Sequence, residues 1–311
     1  MNPAPWHLNI IAKTPPAPAT LVIGQAGAGR DELALALAAS FAGAGDSAAP
    51  VIAVLTPIKK EKKEWFADKN ADILAVYPDG NIIPVDAARR VIEFCAISPM
   101  SLPRRAVVFL SAECMNAAAS NALLKVLEEP AADKSLVLAA RSASLLPPTI
   151  VSRCRIIAAP HPSAAEAEQW LRENIKDKTA MAFAGRTLAF CGGLPMDALR
   201  ADSEKIAAAA DWFAEGKNLN IHGAAKTMAD FDGWLECLQK WTADGCRAAC
   251  GLPARYFPGR EKRQAELCND PQRWLDCHAR LSEKRPLAAH PLARDLFIKE
   301  ILDDYRNIFA G

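Results

Sequence analysis

The 311-residue sequence has no long apolar segment and no excess of either charge sign. No run approaches the roughly 18 to 20 uninterrupted apolar residues of a membrane span. The beginning, MNPAPWHLNIIAK, also lacks the basic start and apolar centre of a signal peptide. Thirty-seven basic against thirty-six acidic residues give a charge of +1, so the whole molecule has little attraction for DNA or anionic lipid. We therefore expect a cytoplasmic protein without membrane contact, whose contacts with nucleic acid are local or indirect.

The sequence also has no CxxC pair, although it contains nine cysteines. An odd number of scattered cysteines in a chain of this length indicates free thiols in a reducing compartment. Cys246, Cys250, Cys268, Cys277 and His278 follow one another, but their spacings fit no zinc pattern. Because free cysteine is commonly buried, we expect these residues to pack and expect no metal site.

The first half of the chain alternates short apolar runs with helical patterns, which is typical of a parallel α/β sheet. The runs are TLVIG, VIAVLTP, ADILAVYP, AVVFLSAE and SLVLAAR. VIAVLTP fits either a second strand or an edge hairpin. From about Ala164 onward only helical periodicity is present, and the prolines of APHP mark the boundary. The sequence thus predicts one α/β domain followed by helices.

A phosphate-binding loop is suggested by GQAGAGRD, which lies between the first apolar run and a helical pattern. In GxxxxGK[ST] loops, backbone amides hold phosphate, lysine reaches the terminal phosphates and the hydroxyl holds magnesium. Here Gly24, Gly27 and Gly29 are present, but Arg30 replaces lysine and Asp31 replaces the hydroxyl. We expect Asp31 to cap or charge the helix start. ATP binding at this degenerate loop is doubtful, although backbone amides alone can hold an anion.

A second device of nucleotide hydrolysis is also missing. An ATPase of this architecture needs acidic residues after a strand, to hold magnesium and to activate water. After the run AVVFL the corresponding positions are Ser111 and Ala112, and Glu113 comes one residue late. This loss is independent of the loop and predicts that the chain does not hydrolyse ATP.

Two segments closely resemble the clamp-loader branch of the AAA+ family. They are SAECMNAAASNALLKVLEEP (Ser111 to Pro130) and LLPPTIVSRC (Leu145 to Cys154), which match a NALLKTLEEP-like motif and an SRC motif at the family's separation. The resemblance covers most of residues 15–205. It implies an α/β RecA-like (AAA+) parallel-sheet domain at 1–161, a small helical lid domain at 162–204 and an all-α C-terminal collar domain at 205–311.

The resemblance also assigns a role to the SRC motif, Ser152, Arg153 and Cys154. In the family its arginine is a finger that enters the ATP site of the neighbouring subunit. A guanidinium at the γ-phosphate neutralises transition-state charge, an effect worth about 10³ to 10⁵ in rate in related systems. The alternative is that Arg153 and Arg155 only make surface ion pairs.

The NALLKVLEEP segment is expected to form a helix capped by Asn116 and ended by Pro130. Its predicted core face consists of Ala122, Leu123, Val126 and Leu127. The residues left outside, for subunit contacts or solvent, are Lys125, Glu128 and Glu129.

Other departures from active family members also indicate that the chain does not hydrolyse ATP. Ala140 and Arg141 stand where a polar sensor is expected, and Pro195 and Met196 interrupt the position of a sensor arginine. Residues 44–80 contain no cysteine, so the family's four-cysteine zinc module is expected to be absent. No cofactor is therefore expected.

The resemblance implies a non-catalytic, non-hydrolysing clamp-loader subunit of a bacterial DNA polymerase III holoenzyme. Its partners would be gamma/tau-like ATPase subunits and delta in a hetero-oligomeric ring, with the sliding clamp and primed DNA reached through that complex. The collar would make most subunit contacts, which gives a use to Trp212, Trp234, Trp241, Trp274, Leu238, Leu296 and Phe297.

Two alternatives remain open. One is an active AAA+ ATPase with an unorthodox site, in which Arg30 and Glu113 act as substitutes. The other is direct binding of DNA by the lysine-rich segment 59–69, which predicts an affinity that falls steeply with salt.

Overall fold

The computed structural model of the protein describes residues 3–44, 52–55, 72–129, 131–219, 231–286 and 294–309. The chain forms two units, residues 1–163 and 164–311. In the described ranges, no helix is long and apolar enough to cross a membrane. The lysine-rich segment 59–69 and the predicted helix end at Pro130 lie outside these residues. The separate lid and collar boundaries stay predictions.

A six-stranded sheet forms the centre of the first unit. Its strands are β1 (Ala19–Ile23), β2 (Ile52–Leu55), β3 (Ile73–Val76), β4 (Arg105–Phe109), β5 (Lys134–Ala140) and β6 (Arg155–Ala158). The order is β2-β3-β4-β5-β1-β6, and every neighbouring pair is parallel. The five predicted strands are present, and the hairpin alternative for VIAVLTP is wrong because β2 pairs in parallel with β3.

The sixth strand was not predicted. It has only four residues, begins at Arg155 and lies at the edge of the sheet, with most of its side chains exposed. A half-solvated edge strand of this length shows neither the continuous apolar run of a buried strand nor clear alternation. Its pairing with β1 is decided by the fold rather than by its own pattern.

Helices cover both faces of the sheet. They are α1 (Leu8–Lys13), α2 (Arg30–Ala42), α3 (Val85–Ala96), α4 (Ala117–Glu128) and α5 (Pro148–Val151). Successive strand residues point to opposite faces. Leu21 and Val107 therefore pack in the layer under α3 and α4, while Val22 and Val108 pack in the layer under α2. Short 3₁₀ turns occur at Pro5–His7, Ala26–Ala28, Ala112–Cys114 and Ala143–Leu145.

The helix α4 has the predicted start and orientation. Asn116 Oδ1 accepts a hydrogen bond of 2.7 Å from the third amide of the helix, which confirms the cap. Leu123 and Leu127 are buried, whereas Ala122 and Val126 are half-buried. The exposed side carries, as predicted, Lys125, Glu128 and Glu129.

A buried ion pair ties the loop between α3 and β4 to the sheet. Asp72 and Arg105 are 2% and 3% exposed, and Arg105 Nε lies 3.2 Å from Asp72 Oδ1. The carboxylate also accepts hydrogen bonds from the backbone amides of residues 100–102. Burial raises the pKa of Asp72, but these amides and Arg105 outweigh it, so the net pKa is lowered.

The second unit contains only helices among its described residues. They are α6 (Ala164–Asn174), α7 (Lys178–Ala182), α8 (Ala184–Phe190), α9 (Pro195–Arg200), α10 (Ser203–Phe213), α11 (Phe231–Ala249), α12 (Glu261–Leu267), α13 (Pro271–Lys284) and α14 (Arg294–Arg306). Short 3₁₀ turns occur at Gly216–Asn218 and Asn307–Phe309. The prediction of helices from about Ala164 onward is confirmed.

An aromatic core holds these helices together. Tyr305 donates a hydrogen bond of 2.6 Å to the carbonyl of Phe213 and accepts one of 3.0 Å from Trp241 Nε1. Helices α11 and α13 approach closely at Gly245, where a Cβ atom would lie 2.4 Å from the ring of Trp274. Only glycine fits at this crossing.

The expected use of the C-terminal apolar residues for subunit contacts is partly wrong. Leu238, Trp241 and Trp274 are completely buried inside the unit and cannot touch another chain. Large aromatic side chains bury 150 to 250 Å² each, and here that burial stabilises the unit itself. Leu296 is 67% exposed, so it keeps its predicted place on the surface.

Candidate functional site

The loop GQAGAGRD begins where three strands end side by side. Ile23, the last residue of β1, pairs with Ala140 of β5 and with Ala158 of β6. The amide of Gly24 continues the ladder by donating to the carbonyl of Ala140 at 3.1 Å. In parallel α/β sheets, ligands bind in the crevice at the carboxyl ends of the strands. The predicted loop therefore lies at the edge where such a site belongs.

The backbone of the loop leads into a helix, as predicted. A 3₁₀ turn at Ala26–Ala28 is followed by Gly29 with a φ of 94°, and α2 begins at Arg30. A φ in this range favours glycine, which explains why glycine stands at the second conserved position of the motif. Gly27 is buried within the turn.

The side chain of Arg30 turns back into the protein. Arg30 is 2% exposed, its Nε donates to Asp31 Oδ1 at 2.8 Å, and its Nη1 donates to the carbonyl of Gly24 at 3.3 Å. Nη2 reaches Ser111 Oγ at 3.4 Å, and Nη1 lies 3.8 Å from Glu113 Oε1. The arginine at the position of the catalytic lysine is thus bonded to the loop itself and to the end of β4.

The expected role of Asp31 as a helix cap is wrong. The helix α2 has no side-chain cap, and the Asp31 carboxylate instead pairs with Arg30 at 2.7 Å. A buried guanidinium needs a counter-charge, which is a stronger demand than one unsatisfied amide. The carboxylate still lies in the first turn of the helix, where the dipole favours negative charge.

The end of β4 adds one acidic group to this edge. Ser111 has a left-handed backbone, with a φ of 55°, and Ala112 is completely buried. The turn brings Glu113 towards Arg30, and Arg141 Nε after β5 lies 3.8 Å from the same Glu113 Oε1. Two guanidinium groups and two carboxylates therefore neutralise one another here.

An N-terminal turn packs on the loop, which the sequence patterns did not predict. Trp6 Nε1 donates a hydrogen bond of 3.0 Å to the carbonyl of Ala28, and His7 is completely buried beside it. Burial lowers the pKa of His7 from 6.5 to about 4, against a weaker opposing effect of the Ala28 backbone. His7 is therefore neutral at physiological pH. The one sequence signal was the pair of aromatic residues Trp6 and His7 ahead of the first strand. Two adjacent residues show no periodicity, so this signal predicts no helix or strand.

The SRC motif forms the turn between α5 and β6. Arg153 follows the helix end, and 35% of its side chain is exposed. Its Nη1 donates to the carbonyl of Thr149 at 2.9 Å and lies 3.4 Å from Ser152 Oγ. Its Nη2 donates to Glu128 Oε1, at the end of α4, at 2.7 Å. In the isolated chain, Arg153 thus makes a surface ion pair, as the alternative interpretation predicted.

The other members of the SRC turn hold its shape. Cys154 packs against the core of the first unit, and burial raises the pKa of its thiol to about 11, so it is protonated at neutral pH. Ser152 Oγ donates to the carbonyl of Thr149 at 3.3 Å. Arg155 donates to the carbonyl of Pro15 at 2.8 Å rather than to a carboxylate.

The remaining candidates lie apart from these groups. Pro195 and Met196 begin α9 in the second unit and are buried there. All nine cysteines are free thiols. Within the described ranges, no three histidine, cysteine, aspartate or glutamate side chains are placed to hold a metal ion.

A family model described as DNA polymerase III, delta subunit, matches residues 7–162, which is half of the 311-residue chain. The chain belongs to this family. The match contains the loop, the end of β4 and the SRC turn. It supports the resemblance on which the role of Arg153 was predicted.

Two relatives of this family member are named DNA polymerase III subunit delta-prime. The chain is 36% identical to the Pseudomonas aeruginosa protein over 168 residues, covering 52% of this chain and 50% of that protein. It is 36% identical to the Haemophilus influenzae protein over 109 residues, a third of each chain. The predicted resemblance to a DNA polymerase III clamp-loader subunit is confirmed, and these relatives identify the delta-prime subunit as the one that the chain resembles. The matched segment spans about half the length of the first relative.

The fold is shared with a solved structure. The structure of a DNA polymerase III gamma subunit-related protein from Thermotoga maritima aligns over 97% of this chain and 97% of its own chain. The TM-score is 0.51 and the sequence identity is 20%. At that identity the likeness concerns the fold alone. It confirms the predicted architecture, a parallel α/β sheet unit followed by helices.

Proposed function

We propose that this chain is a non-hydrolysing clamp-loader subunit of a cytoplasmic bacterial DNA polymerase III complex, and that it supplies Arg153 to the ATP site of a neighbouring subunit. Its partners would be gamma/tau-like ATPase subunits and delta. Through them the ring would act on the sliding clamp and on primed DNA. The matched delta-prime subunits and the family model support this assignment.

One observation carries the non-hydrolysing part of the proposal. Arg30, the cation of the phosphate loop, is 2% exposed, donates a hydrogen bond to the Gly24 carbonyl and pairs with the Asp31 and Glu113 carboxylates. A phosphate group would have to displace these contacts, and it would meet the Asp31 and Glu113 carboxylates at short range. The positions that should hold magnesium and activate water carry Ser111 and Ala112.

The second part of the proposal concerns the contrasting placement of Arg153. Its guanidinium is part-exposed at a turn, next to an edge strand, and it can reach a group outside its own chain. A guanidinium that meets a γ-phosphate pairs with two oxygens and neutralises charge in the transition state. This chain would thus complete a site that it does not itself contain.

Reconstitution of the clamp loader with Arg153→Ala tests the proposal. We expect DNA- and clamp-stimulated ATP hydrolysis to fall by about 10³-fold at the site that this chain faces, because the transition-state charge loses its partner. Where other sites in the ring still turn over, single-turnover hydrolysis separates the affected site from them. Arg155→Ala is the matched control, and its rate should stay close to that of the unchanged complex. An unchanged rate with Arg153→Ala would show that the finger is not used.

Calorimetric titration of the isolated chain with ATP and magnesium tests the proposal that the chain does not hydrolyse ATP. We expect no binding in the micromolar range and no release of phosphate. Micromolar binding with turnover would instead establish the alternative, an ATPase in which Arg30 and Glu113 replace the usual residues.

A further inference from the structure

Glu128 places a carboxylate at the end of a helix where electrostatics disfavour it. It is the last residue of α4, and the C-terminus of a helix carries a partial negative charge. An acid at this position is unfavourable unless a cation compensates. Arg153 is that cation, with Nη2 donating to Glu128 Oε1 at 2.7 Å.

The pair contributes little to stability, because half of the Glu128 side chain and a third of that of Arg153 are exposed. Water screens the charges of exposed ion pairs, so these pairs add little to the free energy of unfolding. Their larger effect is on geometry. An arginine side chain loses rotamer freedom when it is fixed, and a group that is already oriented does not lose that freedom on binding.

The contacts of Arg153 also leave part of its guanidinium available. A guanidinium has five N–H donors, and Thr149, Ser152 and Glu128 take one each. Two donors have no partner among the described residues. Because bidentate recognition of a phosphate needs two N–H groups, the pair with Glu128 is compatible with contact to a second anion.

We propose that Glu128 is a positioning residue that holds the Arg153 guanidinium in the direction from which it enters the neighbouring ATP site. The inference rests on the proposed role of Arg153. The Glu128 carboxylate accepts from Nη2 and the Thr149 carbonyl accepts from Nη1, so rotation of the guanidinium is restricted by two separate contacts.

The test compares Glu128→Ala and Glu128→Gln in the reconstituted complex. Glu128→Ala removes the acceptor, and we expect kcat for clamp-stimulated hydrolysis at this site to fall about tenfold, with the KM for ATP changed less than about twofold. Glu128→Gln keeps an oxygen acceptor, and its kcat should stay within about threefold of the unchanged complex. The control is Asp86→Ala, which removes the exposed Asp86–Arg89 ion pair of α3 and should change neither constant.

A double variant links the effect to the arginine. Glu128→Ala combined with Arg153→Ala should be no slower than Arg153→Ala alone, because the two residues act through one group. If Glu128→Ala matches or exceeds the unchanged complex while Arg153→Ala is slow, the positioning role is overturned and the finger remains. If Arg153→Ala itself has no effect, the proposed function fails instead. Gel filtration of each complex distinguishes these losses from failed assembly.

Discussion

The loop after β1 and the turn before β6 adjoin neighbouring strands, and each contains one arginine of a predicted phosphate-binding motif. Arg30 is 2% exposed and is bonded to groups of its own domain. Arg153 is part-exposed and is held by a single carboxylate. The loop arginine has become part of the protein interior, whereas the turn arginine can still reach outward.

The contacts of Arg30 indicate how the proposed loss of nucleotide binding would be compatible with a stable fold. A buried guanidinium without counter-charges would be very unfavourable. Asp31 and Glu113 lie beside Arg30 as partners of its charge, and the same two carboxylates would oppose a bound phosphate. Stability and nucleotide binding thus make opposite demands on this loop, and four predictions test the contrast.

The largest effect is expected from Arg30→Ala. Its removal takes a buried cation from beside Asp31 and the largely buried Glu113, whose side chain is 11% exposed, and we expect the free energy of unfolding to fall by about 3 kcal/mol. Urea unfolding of the isolated chain at pH 7 measures this loss. A loss below about 0.5 kcal/mol would mean that Arg30 is no more structural than Arg153, and the contrast would be broken.

The next effect is a pH dependence that arises from His7. Its pKa is lowered from 6.5 to about 4, so the unfolded chain binds a proton that the folded chain refuses between those values. The stability is fully present above pH 6.5 and falls as the pH drops towards 4, by about 3 kcal/mol. Urea unfolding of the unchanged chain and of His7→Gln between pH 7.5 and 4 checks the sign. Parallel curves for the two would contradict burial of a neutral imidazole against the loop.

Restoring the motif should recover binding but not chemistry. Arg30→Lys with Asp31→Thr removes a carboxylate and returns the lysine and the hydroxyl, and we expect affinity for ATP with magnesium to rise at least tenfold, or about 1.4 kcal/mol. Turnover should stay absent because Ser111 and Ala112 still lack the acids. Calorimetry and phosphate release measure both outcomes. Hydrolysis by this variant would show that the end of β4 is not the limiting loss.

The smallest effect on stability is expected from Arg153→Ala. Loss of an exposed ion pair should change the free energy of unfolding by less than about 0.5 kcal/mol. The same urea experiment as for Arg30→Ala gives a direct comparison. A loss of unfolding free energy close to that of Arg30→Ala would show that Arg153 mainly stabilises its own domain.

Much of the fold could be predicted from local sequence. Five apolar runs became strands, and Asn116 caps α4, because burial and capping depend on neighbouring residues in the chain. The edge strand β6 escaped prediction because its four residues carry no clear pattern. The sequence left open whether Trp241 and Trp274 fill a core or an interface, because periodicity does not say whether an apolar face is covered by its own chain, and the structure places both in the core.

The sequence by itself determined which side chains of the phosphate loop and of the strand end are missing, since these depend only on the residue at each motif position. It also identified Arg153 through a motif. Only the tertiary structure decided that Arg30 is buried against Glu113, that Trp6 and His7 pack on the loop, and that Glu128 holds Arg153. The physical reason is that these contacts join residues far apart in the chain, through the alignment of parallel strands and the packing of helices on their ends.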